Sequence, residues 1–190
     1  LQGREFLAQQ LAFRSADNPI DYTAYKITHF GVGDAGTTGD CPPITVGPYD
    51  TDTDLQARAE LNPIVGIGEV GDYIDNNSLK KIELDGEIKI ISENHTVNEP
   101  GGGQSETSAF TAIRYRMYLQ PGEVNQTNPS TGNLDPFRFN EAGLYAVEYT
   151  FNVNGEEVPT GNYLMFARFT TLDKYLEEAD GIMIEWYILV

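Results

Sequence analysis

The stretch Tyr145–Gly155 (YAVEYTFNVNG) decides the fold class, because it has the pattern of a strand followed by a tight turn. Tyr, Val, Tyr, Phe and Val alternate there with Ala, Glu, Thr and Asn. A period of two is typical of a β-strand, and Asn154-Gly155 is a strong signal for a hairpin turn. Leu164–Phe169 (LMFARF) follows with similar β-forming composition. We therefore predict two neighbouring strands around this turn.

Strand signals also precede this stretch. Tyr25–Phe30 (YKITHF) is rich in β-forming residues and runs into a glycine-rich turn, Gly31–Gly36 (GVGDAG). We expect these glycines to allow positive φ angles in the turn. Ile82–Ile90 alternates apolar and charged residues, which predicts a strand pair with one solvated face, turning near Asp85-Gly86.

Two further strands are predicted from alternation. Ile113–Leu119 places apolar residues on one face and Arg114 and Arg116 on the other. These arginines, like Arg138, are expected to pair with local carboxylates. Ile182–Val190 is largely apolar on both faces, so we expect it to be central in a sheet or to face a partner.

Helices are predicted at two places. Arg4–Arg14 has an apolar side and indicates a short N-terminal arm, whose tentative interface residues are Leu7, Leu11 and Phe13. Leu55–Leu61 (LQARAEL) predicts a second short helix, which begins after an acidic segment. Long polar loops are predicted at Thr37–Asp54, Asn94–Thr107 and Pro121–Asp135.

Many short strands separated by Gly, Pro and Asn loops predict a mostly β fold. We expect an antiparallel β-sandwich or barrel with long loops, a short N-terminal helical arm and one or two short helices. In domain terms, residues 1–18 are the arm and residues 19–190 form a single β-rich domain.

Charge limits the classes of partner. The 190 residues contain 12 Lys and Arg against 29 Asp and Glu, a formal net charge of −17. Nucleic acid and anionic lipid are both bound by clustered basic residues, so neither is expected as a partner. The sequence contains no run of 18 apolar residues, so no membrane-spanning helix is predicted.

Motifs for metal, cofactor or catalysis fail on inspection. Asp50, Asp52 and Asp54 are spaced like the start of a calcium loop, but the sixth and twelfth positions are Leu55 and Leu61. Gly31–Gly36 resembles a dinucleotide-binding fingerprint, yet no long helix follows it. The chain lacks G-x-S-x-G and H-E-x-x-H motifs, and has one cysteine. We predict a non-enzymatic protein with no cofactor, no metal site and no catalytic residue.

Several segments together resemble bacteriophage proteins. Lys26–Gly36 (KITHFGVGDAG), a proline-containing loop and Thr53-Asp54-Leu55 resemble the opening of tail-collar and tail-fibre attachment domains. Phe139–Ala146 (FNEAGLYA) resembles a segment of phage virion proteins. Leu164–Phe169, Lys174 and Ile184–Ile188 (IEWYI) resemble the closing segment of those proteins.

This resemblance implies a virion structural protein, located in the tail or neck region of the phage particle. Its expected role is a tail, baseplate or neck connector or a fibre-anchoring component, with other virion proteins and copies of itself as partners. Attachment domains of tail fibres usually precede a receptor-binding shaft, whereas this sequence stops at the closing strand, which favours an anchoring role.

Two alternatives stay open. One is a capsid decoration or head-fibre protein, which the same β-rich, arm-bearing sequence would serve. The other is a carbohydrate-binding β-sandwich, although the one tryptophan, Trp186, lies in a predicted strand rather than in a loop.

Overall fold

The structure, a computed structural model, describes residues 24–40, 42–47, 49, 52–63, 72–97 and 104–189; for residues 84–97, 104–110 and 189 it describes the backbone alone. The predicted arm, with Leu7, Leu11 and Phe13, lies outside the described residues. The strands are β1 (Tyr25–Gly33), β2 (Tyr73–Ile74), β3 (Leu79–Lys81), β4 (Leu84–Val97), β5 (Gln104–Leu119), β6 (Phe137–Phe151), β7 (Glu157–Leu176) and β8 (Ile182–Leu189).

These strands form two antiparallel sheets. One has five strands in the order β2-β3-β1-β6-β7, and the other has three in the order β4-β5-β8. A mostly β, antiparallel fold is therefore confirmed. The arrangement is that of a β-sandwich, because one apolar cluster draws its side chains from both sheets.

The core lies between the sheets. Alternation within each strand points one set of side chains inward, and these include Val32, Leu144 and Leu164 of the larger sheet and Met117 and Leu119 of the smaller one. Aromatic rings then connect the two layers. Phe169 of β7 meets Phe139 of β6 and Trp186 of β8 edge to face, with ring centroids 6.2 and 5.3 Å apart.

The predicted hairpin turn at Asn154-Gly155 is confirmed. The Asn152 amide donates to the Glu156 carbonyl at 2.9 Å, and Gly155 has a φ of 80°, which a glycine adopts without steric cost. The turn between β2 and β3 is less usual, since Asp75, Asn76 and Asn77 have φ angles of 52°, 54° and 62°. Asp and Asn tolerate this left-handed conformation better than other non-glycine residues.

The predicted helix at Leu55–Leu61 is wrong. The described part of the chain contains no α-helix, and this segment runs extended beside β1. The Ala59 amide donates to the Val32 carbonyl at 2.8 Å, and the Asp34 amide donates to the Ala57 carbonyl at 3.3 Å. Tertiary hydrogen bonds therefore outweigh the helical propensity of the sequence.

Two other turn and loop predictions are also wrong. No turn occurs at Asp85-Gly86, because β4 continues through it with a register shift between Leu84 and Glu87. A β-bulge accommodates a glycine of this kind within a strand. The predicted loop at Asn94–Thr107 is mostly strand, with Asn94 and Thr107 paired in the ladder between β4 and β5.

The final strand is not central. β8 lies at the edge of the three-stranded sheet and pairs only with β5 among the described strands. Trp186 and Ile184 face the core, whereas Met183 and Tyr187 are 59% and 40% exposed. The alternative expectation, that this strand faces a partner, stays a prediction.

A buried glutamate fixes the loop that follows β5. Glu123 is fully buried, and its carboxylate lies 2.8 Å from the Lys80 ammonium of β3. The same carboxylate accepts a hydrogen bond from the Gln120 amide at 2.7 Å. Farther along, the buried Asn125 side chain donates to the Leu176 carbonyl at 2.8 Å. The loop that follows β5 of the smaller sheet is thereby attached to β3 and β7 of the larger sheet.

Candidate functional site

A segment of chain lies across the outer face of β6, and its attachment centres on one carboxylate. Glu141 of β6 is fully buried and accepts hydrogen bonds from the Gln56 and Ala57 amides at 3.2 and 2.9 Å. It also accepts a hydrogen bond from Arg168 Nε of β7 at 2.9 Å. We call Glu141, Arg168, Asp52 and the backbone of residues 56 and 57 the Glu141 network.

Arg168 links this network to the loop before it. Arg168 Nη1 donates to Asp52 Oδ2 at 2.6 Å, and only 1% of the arginine side chain is exposed. Burial alone would raise the pKa of Asp52, but hydrogen bonds from the Tyr49 amide and from Arg168 outweigh it and lower that pKa. The carboxylate therefore stays charged, as a buried partner of Arg168 must be.

Close backbone approach requires glycine at Gly33. A Cβ atom there would lie 2.3 Å from the Ala57 carbonyl oxygen and 2.5 Å from Glu141 Oε1, distances that real side chains do not adopt. A Cβ on Gly36 would lie 2.3 Å from the Asn140 carbonyl oxygen. The expectation of positive φ at these glycines is wrong, because neither has a positive φ angle. They are required for space.

A second layer of polar contacts surrounds the network. Tyr145 of β6 is fully buried and donates its hydroxyl hydrogen bond to Asp54 at 2.5 Å. Burial and the Asp54 carboxylate together raise the pKa of Tyr145. The Arg58 guanidinium lies 4.9 Å from the ring centre of Tyr163 and pairs with Asp75. The segment is thus held by charge, hydrogen bonds and aromatic contact at once.

Asn140 anchors the next part of the chain. Its carboxamide oxygen accepts a hydrogen bond from the Gly36 amide at 2.7 Å, and its nitrogen donates to Thr37 Oγ1 and Asp173 Oδ1 at 3.0 and 2.9 Å. The hydrogen bonds from Asn140 and Thr37 lower the pKa of Asp173. Farther along, Thr170 Oγ1 donates to the Gly47 carbonyl at 2.9 Å.

This anchored chain presents apolar side chains to solvent. We call residues 37–54 the Ile44 loop. Ile44 and Tyr49 are 62% and 61% exposed, although the ends of the loop are attached to the sheet. Two backbone hydrogen bonds fold it back on itself, from Thr38 to Ile44 and from Val46 to Gly36, both 2.8 Å. A loop with a fixed base and exposed apolar side chains is suited to protein contact.

An open cavity lies beside the network. It has a volume of about 460 Å³, and its lining includes Asp34, Glu60, Gln126 and Phe137. The Gln126 carboxamide donates to the Glu60 carbonyl at 2.8 Å, which defines one wall. The cavity combines a half-buried aromatic ring with carboxylate and carboxamide groups.

The three segments that resemble phage proteins meet at this site. Gly33 and Gly36 belong to the first segment, Glu141 to the second and Arg168 to the third, and all contribute to or border the Glu141 network. The acidic segment that precedes Leu55 does not begin a helix, because Asp52 and Asp54 bind Arg168 and Tyr145 instead.

The histidine and the surface arginines noted in the sequence lie outside the Glu141 network. His29 is buried and hydrogen-bonds Thr28 Oγ1 through Nδ1 at 2.9 Å. The expected pairing of surface arginines is confirmed, since Arg116 lies 3.1 Å from Glu185 and Arg138 lies 3.6 Å from Asp34. No cluster of metal-ligating side chains occurs among the residues that the structure describes.

Sequence reasoning missed Glu141 and Arg168, although a signal for them exists. Each lies 13 residues from the Asn154-Gly155 turn, one before it and one after it. An uninterrupted hairpin would therefore set these opposite charges across from each other. The register shifts between β6 and β7 place Gly143 opposite Arg168 instead, and the long arginine side chain still reaches Glu141.

No family model, curated protein or solved structure matches this chain. Within the described residues, no helix has the length and apolar character needed to cross a membrane.

Proposed function

We propose that this protein is a non-enzymatic structural component of a bacteriophage particle, acting as a tail, baseplate or neck connector or as a fibre-anchoring component. The observation that carries the proposal is spatial. The segments that resemble phage attachment domains are far apart in sequence, with Asp52 and Arg168 separated by 116 positions. They nevertheless contribute to one buried network, as the parts of a single attachment module would.

The Ile44 loop is the contact element of this proposal. Its base is held by Asn140 and Thr170, so little conformational entropy remains to be lost at that base when a partner binds. Its exposed Ile44 and Tyr49 supply apolar area for a neighbouring protein. Meanwhile the net charge of −17 favours solubility of free subunits before assembly.

The proposal is tested by locating the protein in purified particles. Antibody labelling of intact phage, observed by electron microscopy, should place it at the tail or neck. Its absence from purified particles would refute the proposal. Labelling on the head would instead support a capsid decoration or head-fibre protein.

The role of the Ile44 loop has its own test. Tyr49→Asp should keep the fold but reduce incorporation into particles about tenfold, because a charge would be buried against the partner. Val153→Asp is the matched control, since Val153 is fully exposed at the hairpin between β6 and β7. Equal incorporation of the two variants would show that Tyr49 makes no contact with a partner.

The N-terminal arm is tested by deletion. Removing residues 1–15, which include Leu7, Leu11 and Phe13, should leave the β-domain folded and weaken assembly. Circular dichroism and particle incorporation measure the two effects separately. Loss of the cooperative unfolding transition would mean that the segment belongs to the domain core.

A second candidate function is carbohydrate binding, which the cavity beside the Glu141 network favours. Phe137 offers an aromatic surface, and Asp34, Glu60 and Gln126 offer groups that hydrogen-bond sugar hydroxyls. A glycan array followed by calorimetry tests it. Binding that is lost in Phe137→Ala would support this function, and absence of any glycan signal would refute it.

A further inference from the structure

Four of the described strands lie at sheet edges, namely β2, β7, β4 and β8, and these edges differ in how well they resist pairing with another chain. β2 has only two residues, and β7 has three register shifts along its ladder with β6. β4 has one register shift near its start. The ladder between β8 and β5 runs without a shift from Ile182 to Leu189. β8 is therefore the most regular free edge of the described strands.

Natural edge strands usually carry features that block pairing. Short length, bulges, Lys and Pro all prevent a second chain from continuing the sheet. β7 contains Pro159 and Lys174 in addition to its register shifts. β8 (IMIEWYIL) contains no Lys and no Pro, and its one charged residue is Glu185. No described strand pairs with its outer backbone edge, which is consequently a template for another strand.

The side chains of β8 that point away from the core include two exposed apolar residues. Met183 and Tyr187 are 59% and 40% exposed, and Glu185 lies between them. Glu185 is not an unpaired charge, since it lies 3.1 Å from Arg116 and 3.3 Å from Arg114 of β5. Association along this edge therefore buries no isolated charge on this face.

Charges beside β8 are paired. The chain has a net charge of −17, which repels identical copies in most orientations. On this face Glu185 is paired with Arg114 and Arg116, and the exposed acidic residues at positions 177, 178 and 180 lie before the start of the strand. Two copies that meet along β8 thus bring paired charges together along most of the strand.

The core is also incompletely covered on this side. Phe169 and Phe166 of β7 and Ile184 and Trp186 of β8 pack on the core but remain partly exposed. Residues of the central strands, such as Val32 and Leu144, have no exposure at all. Additional strands beside β8 would remove more of this apolar surface from water.

We propose that β8 pairs antiparallel with β8 of a second copy, which joins the two three-stranded sheets into one six-stranded sheet. The contact is isologous, so it closes at two subunits. Met183 and Tyr187 on β8 expose on the order of 200 Å² per copy. A standard interface takes about 800 Å² from each partner, so a dimer with micromolar affinity is expected.

Light scattering over a concentration series, from nanomolar to high micromolar, tests this proposal. The full chain should pass from monomer to dimer as its concentration rises. Tyr187→Lys should raise the dissociation constant by about tenfold or more, because an edge lysine opposes strand pairing. Hydrogen exchange of the β8 amides should slow in the dimer, a change that reports on the backbone edge itself.

Val153→Lys is the matched control, because it makes the same change in charge at a fully exposed residue outside β8. It should dimerise at least as well as the original chain. A monomer at all concentrations, or a trimer or ring, would overturn the proposal. So would equal weakening by both lysine variants, or β8 exchange that does not depend on concentration; this last measurement holds even where Tyr187→Lys fails to fold.

This dimer goes beyond the proposed virion role and does not depend on it. Particle labelling tests where the protein is located, whereas light scattering tests the β8 edge in purified protein. A monomeric protein found in phage tails would refute only the dimer. A dimeric protein absent from particles would refute only the virion role.

Discussion

The two faces of β6 are both buried, but different interactions hold them. The inner face packs Ala142, Leu144 and Ala146 into the apolar core between the sheets. The outer face places Glu141 and Tyr145 beneath the segment of residues 52–63, where buried charges and hydrogen bonds lie beside a small apolar cluster that includes Leu55 and Met165. One strand therefore supports two layers with different physical requirements.

This difference predicts how each face responds to change. Apolar burial is non-directional and roughly proportional to area, so a core residue of similar volume substitutes at modest cost. A buried ion pair instead depends on geometry, and removing one partner leaves the other charge without compensation. The outer face of β6 should consequently tolerate substitution less well than the inner face. This is expected even though the covering segment, residues 52–63, contains fewer apolar residues than the core.

The largest effect is expected at Glu141. Glu141→Leu should lower the free energy of unfolding by about 3–5 kcal/mol, because Arg168 and two backbone amides lose a buried acceptor. The double variant, Glu141→Leu with Arg168→Leu, should lose much less stability than the sum of the losses in the two single variants. Urea denaturation of the two single variants and the double variant measures this coupling.

Met117→Ala serves as the matched comparison for that cycle. Met117 is fully buried in the apolar core, on the other side of the five-stranded sheet from the Glu141 network. It should cost about 2–5 kcal/mol alone and add independently to Arg168→Leu. Equal coupling energies for Glu141 with Arg168 and for Met117 with Arg168 would mean that the outer face does not depend on its ion pair more than the core does.

A slightly smaller effect is expected at Gly33. Gly33→Ala should cost about 2–3 kcal/mol, because its Cβ has to displace the Ala57 carbonyl and the Glu141 carboxylate. Gly39→Ala is the control, since a Cβ there meets no atom within 4 Å. Thermal unfolding of the two variants compares them, and similar melting temperatures would contradict the close approach at Gly33.

His29 tests a buried polar group whose hydrogen-bond partner among the described residues is Thr28. Its Nε2 atom has no hydrogen-bond partner among the described residues. Burial and the Lys81 ammonium lower the pKa of His29 to about 4, against a smaller opposing effect of Asp72. The unfolded chain therefore binds one more proton than the folded protein between about pH 4 and pH 6.5.

Stability should thus be complete above pH 6.5 and fall by about 3 kcal/mol as the pH drops towards 4. Denaturation at a series of pH values measures this slope for the original chain and for His29→Gln, which should lose it. His95→Gln removes the other histidine and should retain the slope. An unchanged slope in His29→Gln would assign the pH dependence to other groups.

The smallest effect is expected at a solvated pair. Lys26 of β1 and Glu157 of β7 form a salt bridge, but their side chains are 48% and 44% exposed. Lys26→Met should cost less than about 1 kcal/mol, because water screens the pair. Urea denaturation at low and high salt checks this value, and a loss as large as that of Glu141→Leu would show that exposure is a poor guide here.

The sequence was sufficient for the fold class because strand alternation reflects the two faces of a sheet. Ile113–Leu119 shows this well, with its apolar residues in the core and Arg114 and Arg116 outside, as predicted. The helix at Leu55–Leu61 failed because its amides find acceptors elsewhere in the fold, at Glu141 and Val32. Local propensity cannot include such distant contacts.

The candidate site was less predictable for a related reason. A glutamate within a strand pattern normally indicates a solvated face, and Glu141 reverses that rule because residues 56 and 57 cover it and Arg168 pairs with it. The contact residues proposed for the arm, Leu7, Leu11 and Phe13, lie outside the described residues and remain a prediction. Register shifts between β6 and β7 add to the difficulty, since no sequence pattern marked them.

The long-range attachment of the Ile44 loop has a consequence for the order of folding. Thr37 bonds Asp173 across 136 positions, and Asp52 bonds Arg168 across 116. During synthesis residues 37–54 leave the ribosome long before β7 does. They therefore cannot form their final hydrogen bonds until β7 has been made. Contacts of such high sequence separation form slowly. The last third of the chain therefore determines when the first third becomes native.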